Sequence, residues 1–364
     1  MNRTDPKSNA PIMMLSAGNG FIMQSEKYSR DNAGQSLKKY ILLKQGELAY
    51  NHGASKAKQF GCCYELTEPE ARIPYVYHCF KINDQEYTPF IAMALNNAKM
   101  DKQLKRLVSS SVRMDGLLNI SFEDYMSVTL HLPSSTEQKH IADFLKKIDE
   151  RIAAQEKLLA SLKKYKRGVV KAILSKRIRF ADDRGNYYPE WSECTLQEVV
   201  DFLDGQRKPL ESADRAKRQG KYPYYGASGI IDYIDDYIFD EPLLLLGEDG
   251  ANIINRSFPL CFIATGKYWV NNHAHVMRPR KGQNIKFICE LLESLDYTRY
   301  NTGTAQPKLN QEKCRQIALH LPTYEEQCHI AEFLSLVEQK NIHAQTELDS
   351  LLRTKNALMQ QLFI

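Results

Sequence analysis

The stretch LPSSTEQKHIADFL, from Leu132 to Leu145, occurs again as LPTYEEQCHIAEFL, from Leu321 to Leu334. The two copies begin 189 residues apart and are identical at nine of fourteen positions. Each copy opens a long helical pattern and follows a strand-like segment. This period is too long for a solenoid of stacked repeats. The repeat therefore predicts a duplicated unit, in which a globular domain is followed by a long helix.

Both copies continue into a heptad pattern, after the helix-start residues Pro133 and Ser134 in one and Thr323 in the other. Eight of ten seam positions are apolar when heptads are counted from Ile141, and again when they are counted from Ile330. Such seams predict coiled-coil pairing, and the simplest partner for each helix, about 60 Å long, is the other. The seam residues predicted to hold the helices and dock subunits are Ile141, Leu145, Ile148, Leu159, Leu162, Ile330, Leu334, Val337, Leu348 and Leu351.

Polar residues interrupt both seams, namely Gln155 and Lys166 in the first helix and Asn341 and Lys355 in the second. They could lie at frayed positions or reach solvent. Alternatively, a buried polar layer discriminates among helix registers. Because Lys166 and Lys355 occupy the same place in the repeat, the pattern favours the register role.

Composition limits the class of protein. With 364 residues and 43% hydrophobic content, the chain has room for two or three domains with their own cores. It has neither an apolar run long enough to span a membrane nor a secretory signal pattern, which predicts a cytoplasmic protein without membrane contact. Its eight cysteines lack C-x-x-C spacing, so we expect neither a disulfide framework nor a zinc site.

The two helical regions have opposite charge balances. From Ser134 to Arg179 there are 13 Lys/Arg against 5 Asp/Glu, whereas from Thr323 to Ile364 there are 3 against 6. The first helix could simply present a solvated basic face. Equally, it could lie near a polyanion or an acidic partner.

Common catalytic motifs are not found. The segment ATGK, ending at Lys267, lacks both the first glycine and the following hydroxyl residue of a phosphate loop. Neither a dinucleotide loop nor the tetrapeptide of adenine methyltransferases is present. The carboxylates near Asp240 and Glu248 more often cap turns than bind metal, and the strand-spaced pair His273 and His275 would be a poor metal site alone. The pattern therefore indicates a non-catalytic chain without a cofactor of its own.

What remains is a set of amides, cations and aromatic residues on predicted loops of both globules. Asn and Gln can bond adenine, Arg and Lys can bond guanine, and other cations hold phosphates. Any one of these residues could instead complete a turn, but the collection favours nucleic-acid binding. In the second globule the candidates are Gln206, Arg207, Lys208, Ser228, Lys267, Tyr268, Asn271, Asn272, His273, Gln306 and Lys308. In the first globule they are Asn19, Tyr50, Asn51, Ser55, Lys56, Lys58 and Arg113.

The segments PYYGASGIIDYIDDYIFD (Pro223–Asp240), LLGEDGAN (Leu245–Asn252) and ATGKYWVNNHAHVMRP (Ala264–Pro279), with the doubled helix start, resemble the specificity subunits of type I restriction–modification systems. The resemblance implies an α+β chain: two similar mixed α/β target-recognition domains, joined by two long antiparallel coiled-coil helices with pseudo-two-fold symmetry. The expected divisions are residues 1–133 and 179–321 for the domains, and 134–178 and 322–364 for the helices.

The same resemblance implies the partners. Each domain would recognise one half of a split double-stranded DNA site, and the helices would set the gap between the halves and dock two modification subunits. Those subunits would hold S-adenosylmethionine and methylate adenine at N6, while restriction subunits would hold ATP and Mg²⁺. We expect no cofactor in this chain.

One departure from the resemblance concerns the domain openings. The second globule begins with WSECTLQEVV (Trp191–Val200), whereas the first has no Trp-containing counterpart before SAGNG (Ser16–Gly20). The first domain is therefore expected to be divergent, or the chain to be a rearranged or shortened subunit. In the second case it would be a scaffold that binds modification subunits but recognises DNA poorly.

Overall fold

The structure, a computed structural model, describes residues 4–5, 7–27, 34–55, 58–108, 118–303 and 306–363. It divides into two compact units. The first unit comprises Met1–Lys157 with Thr346–Ile364, and the second comprises Leu158–Gln345. The long helices α5 (Ser135–Leu174) and α11 (Tyr324–Leu362) each contribute to both units. The four-part division at residues 133, 178 and 321 stays a prediction.

The first unit is mixed α/β. The strands described are β1 (Met13–Ser16), β2 (Gly20–Met23), β3 (Ile41–Lys44), β4 (Leu48–Asn51), β5 (Cys62–Glu65), β6 (Glu70–Ile73) and β7 (His78–Phe80). They form sheets with the strand orders β1-β2, β3-β6 and β5-β4-β7, all antiparallel. The short helices are α1 (Gln24–Lys27), α2 (Thr88–Ala94), α3 (Ala98–Leu107) and α4 (Phe122–Met126).

The second unit is also mixed α/β. Its strands are β8 (Ser192–Thr195), β9 (Val200–Phe202), β10 (Gln219–Gly226), β11 (Gly229–Ile234), β12 (Phe239–Asp240), β13 (Leu243–Gly247), β14 (Cys261–Ala264), β15 (Lys267–Val270), β16 (Ala274–Pro279) and β17 (Ala318–Leu321). They form sheets with the strand orders β14-β13-β16-β9, β11-β10-β15-β12 and β17-β8. Its helices are α6 (Leu196–Val199), α7 (Ser212–Lys217), α8 (Asn252–Asn255), α9 (Ile285–Ser294) and α10 (Gln311–Arg315).

The central sheets of the two units match in register. Leu48 of β4 opposes Phe80 of β7, as Leu244 of β13 opposes Met277 of β16. In β13 every residue is buried, as expected for an apolar run covered on both faces. The helices also follow in the same order in both units. The helix after the central sheet is α2 in the first unit and α9 in the second, and the short helix before the long one is α4 in the first unit and α10 in the second. The predicted duplication of a globular unit is confirmed.

Within each unit, the segments of α5 and α11 run antiparallel and pair along the predicted seam. Ion pairs join Asp149 to Lys355 and Arg151 to Glu347 in the first unit, and Lys166 to Glu338 in the second. All ten predicted seam residues are buried or half-buried. Lys166 and Lys355 thus make equivalent contacts across the helix pair, which supports the register role.

One glutamine of each helix start ties the long helix to its own globule. Gln138 accepts a hydrogen bond from the backbone N–H of Tyr87, the N-cap residue of α2, at 3.0 Å. Gln327 accepts the same bond from Asn284, the N-cap residue of α9, at 2.9 Å. Each amide also donates to the proline carbonyl five residues before it. Both side chains are almost fully buried, so we call these bonds the glutamine clamp of each unit.

The cysteines and the apolar content of the helices were both subjects of predictions from composition. All eight cysteines are free thiols. Burial raises the pKa of Cys62 to about 11, so this thiol is held in its neutral form at ordinary pH. Among the described helices, none has an apolar stretch that could cross a membrane.

Candidate nucleic-acid interface

Most candidate residues of the second unit gather at one edge of its central sheet. Because β9 and β13 both run antiparallel to β16, their carboxyl ends meet the amino end of β16 there. The loop before α10 joins them, since Gly250 donates its N–H to the carbonyl of Pro307. We call this surface the loop cluster; it comprises residues 204–208, 226–229, 247–250, 271–273 and 306–308.

Arg207 organises the centre of the loop cluster. Its guanidinium donates to Glu248 Oε2 at 2.8 Å and to the carbonyl oxygens of Ala274, at 2.8 Å, and Asp204, at 3.0 Å. The side chain is only 14% exposed. The prediction that Arg207 contacts DNA is corrected, because its Nε and Nη1 are hydrogen-bonded within the protein and its Nη2 faces Asp204 Oδ2 at 3.5 Å. It holds three turns in place instead.

A buried histidine holds the same region in place from the core side. His275 is fully buried; its Nδ1 lies 2.7 Å from Asp204 Oδ2, and its Nε2 lies 2.8 Å from the carbonyl oxygen of Leu309. Burial opposes ionisation of Asp204, but the His275 contact and the N–H of Val276 hold the pKa of that carboxyl below its usual value. The sequence indicated no role for Asp204, whose partners lie about 70 residues away.

Exposed donors surround this organised centre. Gln206, Lys208, Asn272 and Gln306 are exposed, and Lys308 is half exposed, with its Nζ 3.5 Å from Glu248. Amide and ammonium groups in one cluster suit contacts to phosphates and base edges. This part of the prediction is consistent with the geometry, but contact with DNA stays a prediction.

The carboxylates of the loop cluster serve as partners for its cations. Glu248 contacts Arg207 and Lys308, and Asp249 lies 2.7 Å from Nδ1 of the half-exposed His273. His273 and His275 do not form a shared site, since one lies in an exposed turn and the other in the core. Within the described ranges, no group of three or more His, Cys, Asp or Glu side chains could hold a metal ion.

The β10–β11 hairpin joins the loop cluster by close packing. A Cβ added at Gly247 would lie 2.6 Å from the carbonyl oxygen of Ala227, so only glycine fits there. This contact places the exposed Ser228 beside the cluster. Asn271 is 5% exposed and accepts the N–H of His273 at 2.8 Å, so its predicted DNA contact is corrected to a turn-forming role.

Two further candidates lie at the far end of β15. Lys267 is exposed, 4.6 Å above the ring of Tyr237 and 3.9 Å from Asp240. Tyr268 is fully buried and donates its hydroxyl to the carbonyl of Glu241 at 2.9 Å. The prediction that Tyr268 contacts DNA is corrected, because it is a core residue. Lys267 lies about 13 Å along the chain from Asn271 of the loop cluster, at about 3.3 Å per residue.

In the first unit the candidates are more dispersed. Asn19 and Ser55 are exposed on separate turns. Lys58 donates to the carbonyl of Asn96 at 2.8 Å, and Asn51 accepts the N–H of Gly53, so both complete local structure. Lys56 and Arg113 lie outside the described residues.

Tyr50 of the first unit belongs to the core. Its side chain is buried, donates to the carbonyl of Phe60 at 2.6 Å and stacks on Tyr125 at 3.9 Å between ring centroids. The prediction that Tyr50 contacts DNA is therefore corrected. Among the described candidates, the first unit offers fewer exposed donors than the loop cluster does.

Comparison with known proteins finds two matches to one family in this chain. Residues 37–164 and residues 188–353 each match the type I restriction modification DNA specificity domain. A crystal structure of the type I restriction–modification system S subunit from M. genitalium aligns with a TM-score of 0.59 at 16% identity, over 99% of this chain and 90% of that one. This likeness shows a shared fold.

Sequence relatives have the same description. A Haemophilus influenzae protein named as a type I restriction enzyme specificity subunit is 34% identical over 146 residues, which are 40% of this chain and 36% of the relative. The EcoprrI specificity subunit of Escherichia coli is 28% identical over 146 residues, 40% of this chain and 35% of that protein. The matches thus span little more than a third of each relative.

Proposed function

Because the chain belongs to the type I restriction modification DNA specificity family, we propose that it recognises DNA sequence for partner subunits that methylate and cut the DNA. The loop cluster is the observation on which this proposal depends. It presents exposed amides and cations on a frame fixed by Arg207 and His275. Such a surface can bond base edges and phosphates, whereas the sequence offers no catalytic motif.

The two domain matches favour a split recognition site. Each match includes most of one globule, and the long helices would set the gap between the two half-sites. Two modification subunits would hold S-adenosylmethionine and methylate adenine at N6, and restriction subunits would use ATP and Mg²⁺. Loops in the groove would supply base contacts, and other cations would hold phosphates.

The test is a methylation map. The chain is coexpressed with its modification subunit, and methylated adenines are located by single-molecule sequencing. We expect a split motif with one modified adenine on each strand. The variants Asn272→Ala and Lys308→Ala should alter one half of the motif and leave the other unchanged, whereas Lys281→Ala, an exposed control outside the loop cluster, should alter neither. Methylation by the chain alone, or a motif insensitive to both loop variants, would contradict the proposal.

A spacer test uses the same map. Deleting one heptad from each long helix, within Ile148–Val169 and its partner segment, should change the tolerated gap between half-sites or abolish methylation, because the helices fix that gap. The half-sequences should not change. Altered half-sequences with a constant gap would contradict the role of the helices as a spacer.

A second candidate function has one observation in its favour. Among the described residues, the first unit has no counterpart of the segment at Trp191–Val200. A scaffold that binds modification subunits but recognises DNA poorly would give no methylated motif in the same experiment.

A further inference from the structure

A single buried side chain connects three parts of the loop cluster. His275 of β16 is fully buried, and its Nδ1 lies 2.7 Å from Asp204 Oδ2 in the turn after β9. Its Nε2 lies 2.8 Å from the carbonyl oxygen of Leu309, in the loop before α10. The turn at 204–208 and the loop at 306–309 carry exposed amide and ammonium donors. The two contacts of His275 therefore hold both of these donor loops to the central sheet.

Both oxygen atoms that face the His275 ring belong to groups that ordinarily accept hydrogen bonds. A carbonyl oxygen can only accept, so the Leu309 contact requires a proton on Nε2. A neutral imidazole carries a single N–H, and its Nδ1 would then present a lone pair to the carboxyl group of Asp204. Two arrangements satisfy both contacts: either both ring nitrogens carry a proton, or Asp204 is protonated.

Asp204 is the ionised member of this pair. Its Oδ1 accepts the N–H of Val276 and its Oδ2 accepts the side-chain amide of Gln311, both at 2.8 Å. The guanidinium of Arg207 also lies 3.5 Å from Oδ2. Burial opposes ionisation, yet His275, the N–H of Val276 and Arg207 hold the pKa of Asp204 below its usual value. The additional proton therefore belongs to His275, which is present as an imidazolium.

The charge balance of the neighbouring groups leads to the same assignment. The other titratable or charged groups that face the His275–Asp204 pair are Arg207, Glu248, Lys308 and Cys314. Glu248 Oε2 lies 2.8 Å from Arg207 Nη1 and 3.8 Å from His275 Nδ1. Lys308 is half exposed, and burial raises the pKa of Cys314, so its thiol is neutral. A protonated His275 gives two largely buried cations beside two largely buried carboxylates, whereas a neutral ring leaves one carboxylate without a buried charged partner.

The equivalent histidine of the first unit is in the opposite state. His78 matches His275 in strand register, and its Nε2 lies 3.0 Å from the carbonyl oxygen of Ile120. Among the described residues, no carboxylate makes a hydrogen bond or an ion pair with His78. Burial lowers the pKa of His78, and one N–H is enough for its carbonyl contact. The same position of the fold therefore holds a neutral ring in the first unit.

We propose that His275 is a positioning residue that orders the loop at 306–309 only while its ring is protonated. When the ring loses a proton, its remaining N–H stays with Asp204, because a hydrogen bond to a carboxylate is stronger than one to a carbonyl. The carbonyl of Leu309 then loses its donor, and the loop loosens while the turn at 204–208 stays in place. A histidine that needs its proton in the folded state contributes stability that is fully present below about pH 6.5 and is lost at higher pH. Order in this loop therefore falls as pH rises.

Imidazole NMR of the full chain labelled with ¹⁵N-histidine tests the protonation state. At about pH 7, where an ordinary histidine is mostly neutral, both ring nitrogens of His275 should carry protons. Its signals are assigned by their loss in His275→Gln. His78 should show one protonated nitrogen and one lone pair. A single N–H on His275 at this pH would overturn the proposal.

Hydrogen exchange measures the order of the loop. Two backbone N–H groups report its attachment, since Leu309 donates to the carbonyl of Glu248 and Gly250 donates to that of Pro307. After correction for the intrinsic effect of pH, both should exchange about tenfold faster at pH 9 than at pH 6. The N–H of Val276, bonded to Asp204, should not change.

Variants separate a proton-dependent role from a merely structural one. In His275→Gln, the N–H of Leu309 should exchange rapidly at both pH values. Asp204→Asn removes the charge beside the ring and should move the midpoint of the change to lower pH by about one unit or more. The matched control His78→Gln removes the equivalent histidine of the first unit and should leave the profile of Leu309 unaltered.

Three outcomes of the exchange experiment contradict the proposal: equal exchange at both pH values in the unmodified chain, a pH dependence retained in His275→Gln, or an unmoved midpoint in Asp204→Asn. If His275→Gln does not fold, the profiles of the unmodified chain and of Asp204→Asn decide. Under the proposed function, recognition by the second unit would weaken at high pH. All of these measurements use the chain without DNA, so their result is independent of the methylation map.

Discussion

The two units share a frame but differ in how that frame is closed. Both have the glutamine clamp, the strand histidine hydrogen-bonded to a carbonyl, and an ion pair from the same seam lysine. Among the described residues, a strand lies beside the Leu-His-Leu-Pro segment of the second unit (Leu319–Pro322) but not beside that of the first (Leu130–Pro133). The comparison teaches that the clamp and the helix start form the constant part of the unit.

The largest expected difference between the units comes from Trp191→Ala. Trp191 is buried and donates its indole N–H to Glu326 at 3.2 Å, so truncation should lower the free energy of unfolding by about 3–5 kcal/mol. Leu132→Ala in the first unit should cost about 0.5 kcal/mol, because that side chain is partly exposed. Urea unfolding followed by hydrogen exchange in each unit measures both. Equal losses of unfolding free energy in the two variants would show that the two units do not differ at these positions.

A smaller and symmetric effect is expected from the clamp. Gln138→Leu and Gln327→Leu each leave a buried N–H without its acceptor, which should cost about 1–3 kcal/mol in either unit. Hydrogen exchange at the amides of Tyr87 and Asn284 should accelerate correspondingly. Acceleration in one unit alone would show that the clamps are not equivalent.

The seam lysines should give a still smaller effect. Lys166 contacts both Glu290 and Glu338, whereas Lys355 contacts Asp149. We expect Lys166→Met to cost about 1 kcal/mol and Lys355→Met about half as much, because both pairs are partly solvated. Unfolding at low and high salt measures the difference, which should shrink as salt rises. A larger loss at Lys355 would reverse the comparison.

The smallest expected effect is a pH dependence of the first unit. Burial lowers the pKa of His78, which remains neutral in the folded state to lower pH than in the unfolded chain. The stability that depends on neutral His78 is therefore present above a pH of about 6.5 and is lost as pH falls through the folded pKa. His78→Gln should reduce the shift of the urea midpoint between pH 7.5 and 5.5. The exposed control His131→Gln should not, and an unchanged shift in His78→Gln would refute the assignment.

The sequence predicted the features that depend on local pattern. The helix starts at Leu132 and Leu321 and the seam from Ile141 were visible in the sequence, because periodicity and capping act within a few turns. The pairing of the long helices followed from two matched seams, and its antiparallel direction from the family resemblance. The structure confirms these elements.

The candidate site was harder to predict because exposure depends on contacts distant in sequence. Tyr50 and Tyr268 are flanked in sequence by polar residues typical of loops. Both nevertheless lie on strands, and the pairing of those strands places their side chains in the core. Arg207 was selected as a free cation, but Glu248, 41 residues later, occupies its guanidinium. Asp204 was missed for the same reason. Single-residue assignments fail where a side chain's partner comes from another strand, whereas the prediction that donors lie on loops of the second globule rests on local sequence alone.

The side-chain amide of Gln103 accepts the N–H of Thr129 at 3.0 Å and donates to the carbonyl of Thr129 at 2.8 Å, and these paired hydrogen bonds have a consequence for solubility. An exposed strand with two open sides can recruit one chain after another and grow into an ordered aggregate. Here a side-chain amide seals one side of Thr129, so a strand can add on the other side only. Growth would end after a single addition, so this edge can bind one added strand without starting a fibre.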